Sequence, residues 1–153
     1  MDILLAESPQ QVEVARNLFL EYEKALGISL CFQGFEQELA NLPGCYLPPL
    51  GRLLLGFEEG FPVACGGLRP LAAGTCEIKR MYVRPGYRGQ GYGRRMCESL
   101  LVAARSEGYE KVRLDSLGHM HEAISLYRSL GFEEIHELTS HPGLDVHFME
   151  LVL

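Results

Sequence analysis

The chain has 153 residues, with 14 Lys and Arg against 20 Asp and Glu, for a formal net charge of −6. With 47% hydrophobic and 22% charged residues it is neither disordered nor fibrous, and the expectation is one domain over residues 1–153. An acidic chain also argues against nonspecific binding to nucleic acid or to an anionic membrane, since both need a cationic face.

Ile3 to Ala6 reads as a first strand. Ser8-Pro9 supplies an N-cap and a first helical residue, after which Val12, Ala15, Leu18, Phe19, Tyr22 and Leu26 recur at helical spacing until Gly27. Phe35, Leu39 and Leu42 predict a shorter second helix, closed by Pro43-Gly44, and the Pro- and Gly-rich stretch from Leu42 to Gly51 predicts a loop. Strands follow at Arg52 to Phe57 and Pro62 to Arg69, joined by the hairpin signal Glu58-Glu59-Gly60, and a third at Thr75 to Val83. Beyond a glycine-rich turn, Met96, Leu100, Leu101 and Ala104 mark a third helix that stops near Gly108. Lys111 to Asp115 is a strand, and Ala123, Ile124, Leu126, Tyr127 and Leu130 share a fourth helix ending at Gly131. Phe132 to Leu138 and Val146 to Leu153 are closing strands. Hairpins followed by a strand–helix–strand crossover imply an α+β fold, a mixed sheet covered by helices.

Cys31, Cys45, Cys65, Cys76 and Cys97 are odd in number and form no C-x-x-C pair, which predicts reduced thiols in a cytoplasmic protein and no zinc site. The N-terminal residues carry no basic, apolar leader, and no run reaches the length of a membrane span.

The most informative segment is the turn. A strand runs into Arg88-Gly89-Gln90-Gly91-Tyr92-Gly93, and a helix starts there. Glycines allow positive φ and close approach of a ligand, and free N–H groups at a helix start attract anions. Arg84, Arg88, Arg94 and Arg95 surround that end, so the turn predicts a diphosphate cradle on an acidic protein. A tight structural connection is the bland alternative. No G-K-[ST] follows, which excludes a Walker loop, and the Rossmann Gly-x-Gly-x-x-Gly spacing is not met.

The remaining pattern, Arg88-x-x-Gly91-x-Gly93 after Glu77-Ile-Lys-Arg-Met-Tyr-Val83, resembles the acetyl-CoA motif of the GCN5-related N-acetyltransferase (GNAT) family. Ala123-x-x-Leu126-Tyr127-x-x-Leu130-Gly131-Phe132 is similar to that family's second motif, and the element order matches the family fold over the whole chain. Leu42-Pro43-Gly44, Lys79-Arg80-Met81-Tyr82-Val83, Leu114-Asp115 before Met120, and Phe148-Met149-Glu150-Leu151 resemble a subgroup of small acetyltransferases. The resemblance implies about seven mostly antiparallel strands and four helices, with the sheet splayed between its fourth and fifth strands. It also implies acetyl-CoA as cosubstrate, a primary amine as acceptor, and a homodimer as one arrangement the family uses.

Residue by residue, the resemblance implies that the backbone of Met81, Tyr82 and Val83 pairs with the pantetheine arm. Arg88, Gly89, Gln90, Gly91, Tyr92 and Gly93, with Arg94, would hold the pyrophosphate. Tyr127 matches the family's general acid, against an ordinary core tyrosine as the alternative. Glu77 lies where relatives carry a glutamate that deprotonates the amine through water, against a carboxylate paired with Lys79 or Arg80 as the alternative. Strict alternation would put Thr75, Glu77, Lys79, Met81 and Val83 on one face. Glu21 and Tyr22, with Glu23, Glu36 and Glu38, could form a cationic-substrate pocket or only a solvated acidic face. Phe32 is a candidate lid residue and His141 a candidate substrate contact. Where many relatives carry an asparagine, this chain has Met120. His119 and His121 diverge on a helix and lack a third ligand, so no metal is expected. An acyl-CoA-binding module without turnover is the second reading, and a nucleotide-binding regulator the third.

Overall fold

Local signals start and stop the early elements. The computed structural model describes residues 1–136 and 143–153. After β1 (Asp2–Leu5), the Ser8 hydroxyl accepts from the Gln11 amide while the Gln11 side chain accepts from the Ser8 amide. This capping box opens α1 (Pro9–Leu26), and Gly27 closes it at φ 72°. A single turn at Cys31–Gln33 precedes α2 (Phe35–Asn41). The stretch expected to be loop contains a turn at Gly44–Tyr46 that drops the Tyr46 ring into the core.

β2 (Arg52–Glu58), β3 (Phe61–Ala72) and β4 (Thr75–Val83) form an antiparallel meander. α3 (Tyr92–Ser106) then crosses over to β5 (Lys111–Leu117). α4 (His121–Ser129), β6 (Glu133–Ile135) and β7 (Val146–Val152) complete the sheet, whose order is β1-β2-β3-β4-β5-β7-β6. Among the described residues only the β4–β5 pair is parallel, as a helical crossover allows. β6 ends earlier than the apolar run predicts, and β5 runs two residues further.

Each face of the sheet has its own core. Leu18, Phe19, Phe35 and Tyr46 pack with Leu53 and Leu55 under α1 and α2. Met96, Leu100, Val63, Val112 and Met149 pack under α3 and α4. Each such side chain contributes about 1.5–3 kcal/mol by leaving water. The Tyr46 ring lies so close to β3 that a Cβ at Gly67 would stand 2.5 Å from a ring carbon.

One irregularity shapes the centre. Cys65 pairs with Tyr82 and Gly67 with Lys79, so two steps along β3 match three along β4. The extra residue is a bulge at Arg80, a non-glycine residue with φ 60°. Alternation therefore breaks. Cys76 and Ile78 face α3 before the bulge, and Met81 and Val83 face it afterwards. The expected single face holding Glu77, Lys79, Met81 and Val83 does not exist, because the bulge turns the strand over between Lys79 and Met81.

Candidate active site

The bulge coincides with a gap. β4 and β5 pair only at Thr75 with Lys111, Cys76 with Val112 and Glu77 with Arg113. Beyond Glu77 the strands part, so over residues 78–83 β4 has no strand partner on its β5 side. A cleft of about 740 Å³ opens there, walled by the end of β4, the turn at residues 87–93 and the start of α4. A smaller recess of about 40 Å³ continues toward α1 and the Cys31–Gln33 turn. Tyr22, Leu26, Met81, Met120 and Tyr127 line both.

The turn presents an anion cradle. Gly89 and Gly91 take φ 78° and 80°, a region costly for side chains with a Cβ. Gly91 caps α3 without any side-chain hydrogen bond, and the first bond back to it comes from the Arg95 amide at 3.1 Å. Among the described residues no acceptor is bonded to the amides of residues 89–94. They stand at the positive end of a 15-residue helix. A Cβ at Gly93 would meet only Leu126 at 3.6 Å and Val83 at 3.9 Å, so space for a ligand, rather than packing, favours glycine there.

The arginines divide. Arg88 lines the cleft, donating from Nε to the Val83 carbonyl at 2.9 Å and lying 5.8 Å over the Tyr82 ring. Arg94 lines it too, held to Ser129 Oγ at 2.5 Å. Arg84 is instead spent on Glu21, with bonds of 3.0 and 2.5 Å. Arg95 turns away to the Met1 carbonyl at 2.7 Å. Two of the four expected arginines thus serve the cleft. Gln90 is exposed on the turn without lining it, and Tyr92 lines it with its hydroxyl donating to Glu58.

Tyr127 sits where cleft and recess meet, on the buried face of α4, its ring 5.9 Å from Phe132. Among the described residues its hydroxyl has no hydrogen-bond partner, and it is not sealed from solvent. Burial pushes its pKa well above the ordinary tyrosine value, with Cys97, Tyr22 and Asp115 adding to the shift. Burial likewise pushes Tyr22 up to about 12, with the Asp115 carboxylate adding to the shift. The thiols of Cys76 and Cys97 are pushed up to about 12 by burial, so neither is a thiolate nucleophile near neutrality.

On the recess side, Lys79 is 7% exposed and its Nζ donates to Gln33 at 3.2 Å and Asp115 at 3.3 Å. Arg80, 3% exposed, binds Glu38 through two bonds of 3.0 and 2.9 Å and Gln33 at 2.8 Å. Glu77 stands at the apex of the gap, but its carboxylate accepts from Arg69 Nε at 2.6 Å and lines neither space. In place of the alternative pairing of Glu77 with Lys79 or Arg80, the carboxylate is held by Arg69 on the neighbouring β3. Glu21 is paired with Arg84 and lines neither space, whereas Tyr22 lines both. The Phe32 backbone lies in the Cys31–Gln33 turn, and His141 lies outside the described residues. Lys79 and Asp115 lie in segments that carry the family resemblance, but their pairing is set by the gap between two strands distant in sequence.

The Acetyltransferase (GNAT) family model matches residues 16–132. An uncharacterized N-acetyltransferase of Schizosaccharomyces pombe is 33% identical over 99% of this chain and 94% of its own length. In fold, an acetyltransferase from Streptococcus agalactiae superposes with a TM-score of 0.82 at 19% identity, covering 99% of this chain and 98% of that one. An acetyl-CoA-bound GNAT acetyltransferase from Elizabethkingia anophelis gives a TM-score of 0.60 at 21% identity, over 68% of this chain and 77% of its own.

Proposed function

The chain belongs to the GNAT acetyltransferase family, and from that premise we propose that it moves an acetyl group from coenzyme A to a primary amine, with Tyr127 as the acid. The observation that carries this reading is a continuous path. Amides at residues 89–94 lead to the edge of β4 at Met81, Tyr82 and Val83 that β5 leaves uncovered, and that edge leads to the Tyr127 hydroxyl, which has no hydrogen-bond partner among the described residues. The cradle suits the pyrophosphate, with Arg88 and Arg94 supplying charge. The strand edge suits an amide-containing arm. The reaction forms a C–N bond, breaks the thioester C–S bond, takes one proton from the amine and returns one to the sulfur.

Tyr127 supplies the second proton. Its high pKa keeps the phenol protonated, so it is a standing hydrogen-bond donor to the developing thiolate. Burial also penalises that thiolate, which favours donation when the two meet. For the first proton, Asp115 is the carboxylate on the recess wall, and Glu77 is reached only through water and against its bond to Arg69. Reduced thiols and a cytoplasmic location go with this reading.

Acetyl-CoA should raise the melting temperature by linkage, while AMP and NAD should not. Absence of any shift at saturating acetyl-CoA sinks the reading. A shift without thiol release across an amine panel favours the acyl-CoA-binding module instead.

A further inference from the structure

The recess behind Tyr127 has a charge pattern unsuited to a simple alkylamine. Its wall carries the buried Lys79 and Asp115 as an ion pair at 3.3 Å. The neighbouring Arg80 is balanced by Glu38, and Glu21 beyond it by Arg84. Among the described residues the wall is therefore neutral, and none of them offers a spare carboxylate to an ammonium. A lone ammonium placed there would take Asp115 from Lys79 and leave a buried cation unpaired, which is costly. A ligand bearing both charges would avoid that cost. Its ammonium would take Asp115, and its carboxylate would take Lys79.

Resting on the acetyl-transfer reading, we propose that the acceptor is a zwitterion, a free amino acid whose carboxylate is bound by Lys79 and whose amine is received by Asp115. One internal ion pair is exchanged for two, and the recess stays neutral. Gln33 steadies both cations, since its Oε1 accepts from Lys79 and from Arg80. Lys79 can swing to a ligand because its Nζ has three donors and only two partners. Arg80, with its bonds to Glu38 and Gln33, stays as framework. The recess itself holds on the order of three waters, about the size of the amino-acid head.

Thiol release with acetyl-CoA tests this with matched pairs: the common L-amino acids against their decarboxylated amines, for instance L-phenylalanine against phenethylamine. At least one amino acid should be acetylated with a kcat/KM about tenfold or more above its amine, the worth of one charge-assisted contact. Lys79→Met should erase that preference through KM, and Lys79→Arg should restore part of it. Amines acetylated as well as or better than amino acids, no amino acid acetylated, or a preference untouched by Lys79→Met would each overturn the proposal. A thermal shift with acetyl-CoA in every variant reports folding and cosubstrate binding separately. If wild type gives that shift and no amino acid reacts, the zwitterion proposal fails while the acetyl-CoA reading stands. If wild type gives no shift, the acetyl-CoA reading itself fails. A variant that does not fold leaves the wild-type pairs to decide.

Discussion

Tyr127 and Gly91 carry the two tests at the scale of single residues. Tyr127→Phe removes one hydroxyl that has no hydrogen-bond partner among the described residues, so the fold should tolerate it well. Acetyl-CoA should still raise the melting temperature, while turnover falls by roughly 10²-fold or more, as for loss of a general acid. Full activity in that variant would remove Tyr127 from the chemistry. Gly91 has φ 80° and open space where a side chain would grow. Gly91→Glu should cost about 1–2 kcal/mol of backbone strain and abolish the acetyl-CoA shift, because a carboxylate would stand among the free amides. Circular dichroism would check that the domain remains folded. Both residues were legible in the sequence, since a glycine-rich turn and a helical face are local patterns. Lys79 was legible only as a strand residue, because its partners lie 46 and 36 positions away.

Among the elements, α2 and β4 are bound by charge as well as by packing. Glu38 on α2 meets Arg80, Arg69 and the Tyr46 hydroxyl, and the Glu38–Arg80 pair is almost fully buried. Burial alone would raise the Glu38 pKa, but the hydrogen bonds and charge of Arg80 bring it below the usual carboxylate value. A lowered folded value means that Glu38 contributes its stability above the ordinary carboxylate pKa and loses it as pH falls through the lowered one. Glu38→Gln should therefore lower stability near neutrality by about 3–5 kcal/mol and flatten the acid limb of a melting-temperature profile. An unchanged acid limb would show that the pair does not link α2 to β4 energetically. Helix limits were readable because caps are local: Ser8, Gln11 and Gly27 announce α1. The bulge at Arg80 was not, since no glycine marks its positive φ. With its position unread, the faces assigned beyond it on β4 were inverted.

Across the whole molecule, tyrosines report on both cores. Tyr22 is pushed up to about 12, and burial raises Tyr46 and Tyr127 further. Folded values above the unfolded one mean that this stability is fully present below roughly pH 10, the free tyrosine value, and is lost as pH rises beyond it. In an alkaline titration followed by phenolate absorbance, these three of the seven tyrosines should ionise only as the chain unfolds. Smooth titration of all seven near the free value would contradict the burial described. The net charge of −6 is likewise an average. It conceals an anion cradle at Arg88 and Arg94 and a neutral recess that the acidic count alone would have made negative. The order of strands and helices followed from hydrophobic periodicity, whereas the charge balance of the site depends on pairings such as Glu21 with Arg84 that periodicity does not encode.

The extra residue in β4 also leaves a parity signature in what the strand can tolerate. Counting along the chain, the positions that must stay apolar beneath α3 are even-numbered up to Ile78 and odd-numbered from Met81. A saturation scan of residues 76–83 should show polar substitutions rejected at Cys76 and Ile78, then at Met81 and Val83, with the rhythm skipping a beat at the bulge. Removing Arg80 would restore an unbroken rhythm and leave Met81 and Val83 beneath α3, with Tyr82 still on the opposite face. One deletion would thus keep the two sides of the strand end that borders the cleft, while removing the positive φ and the buried partner of Glu38.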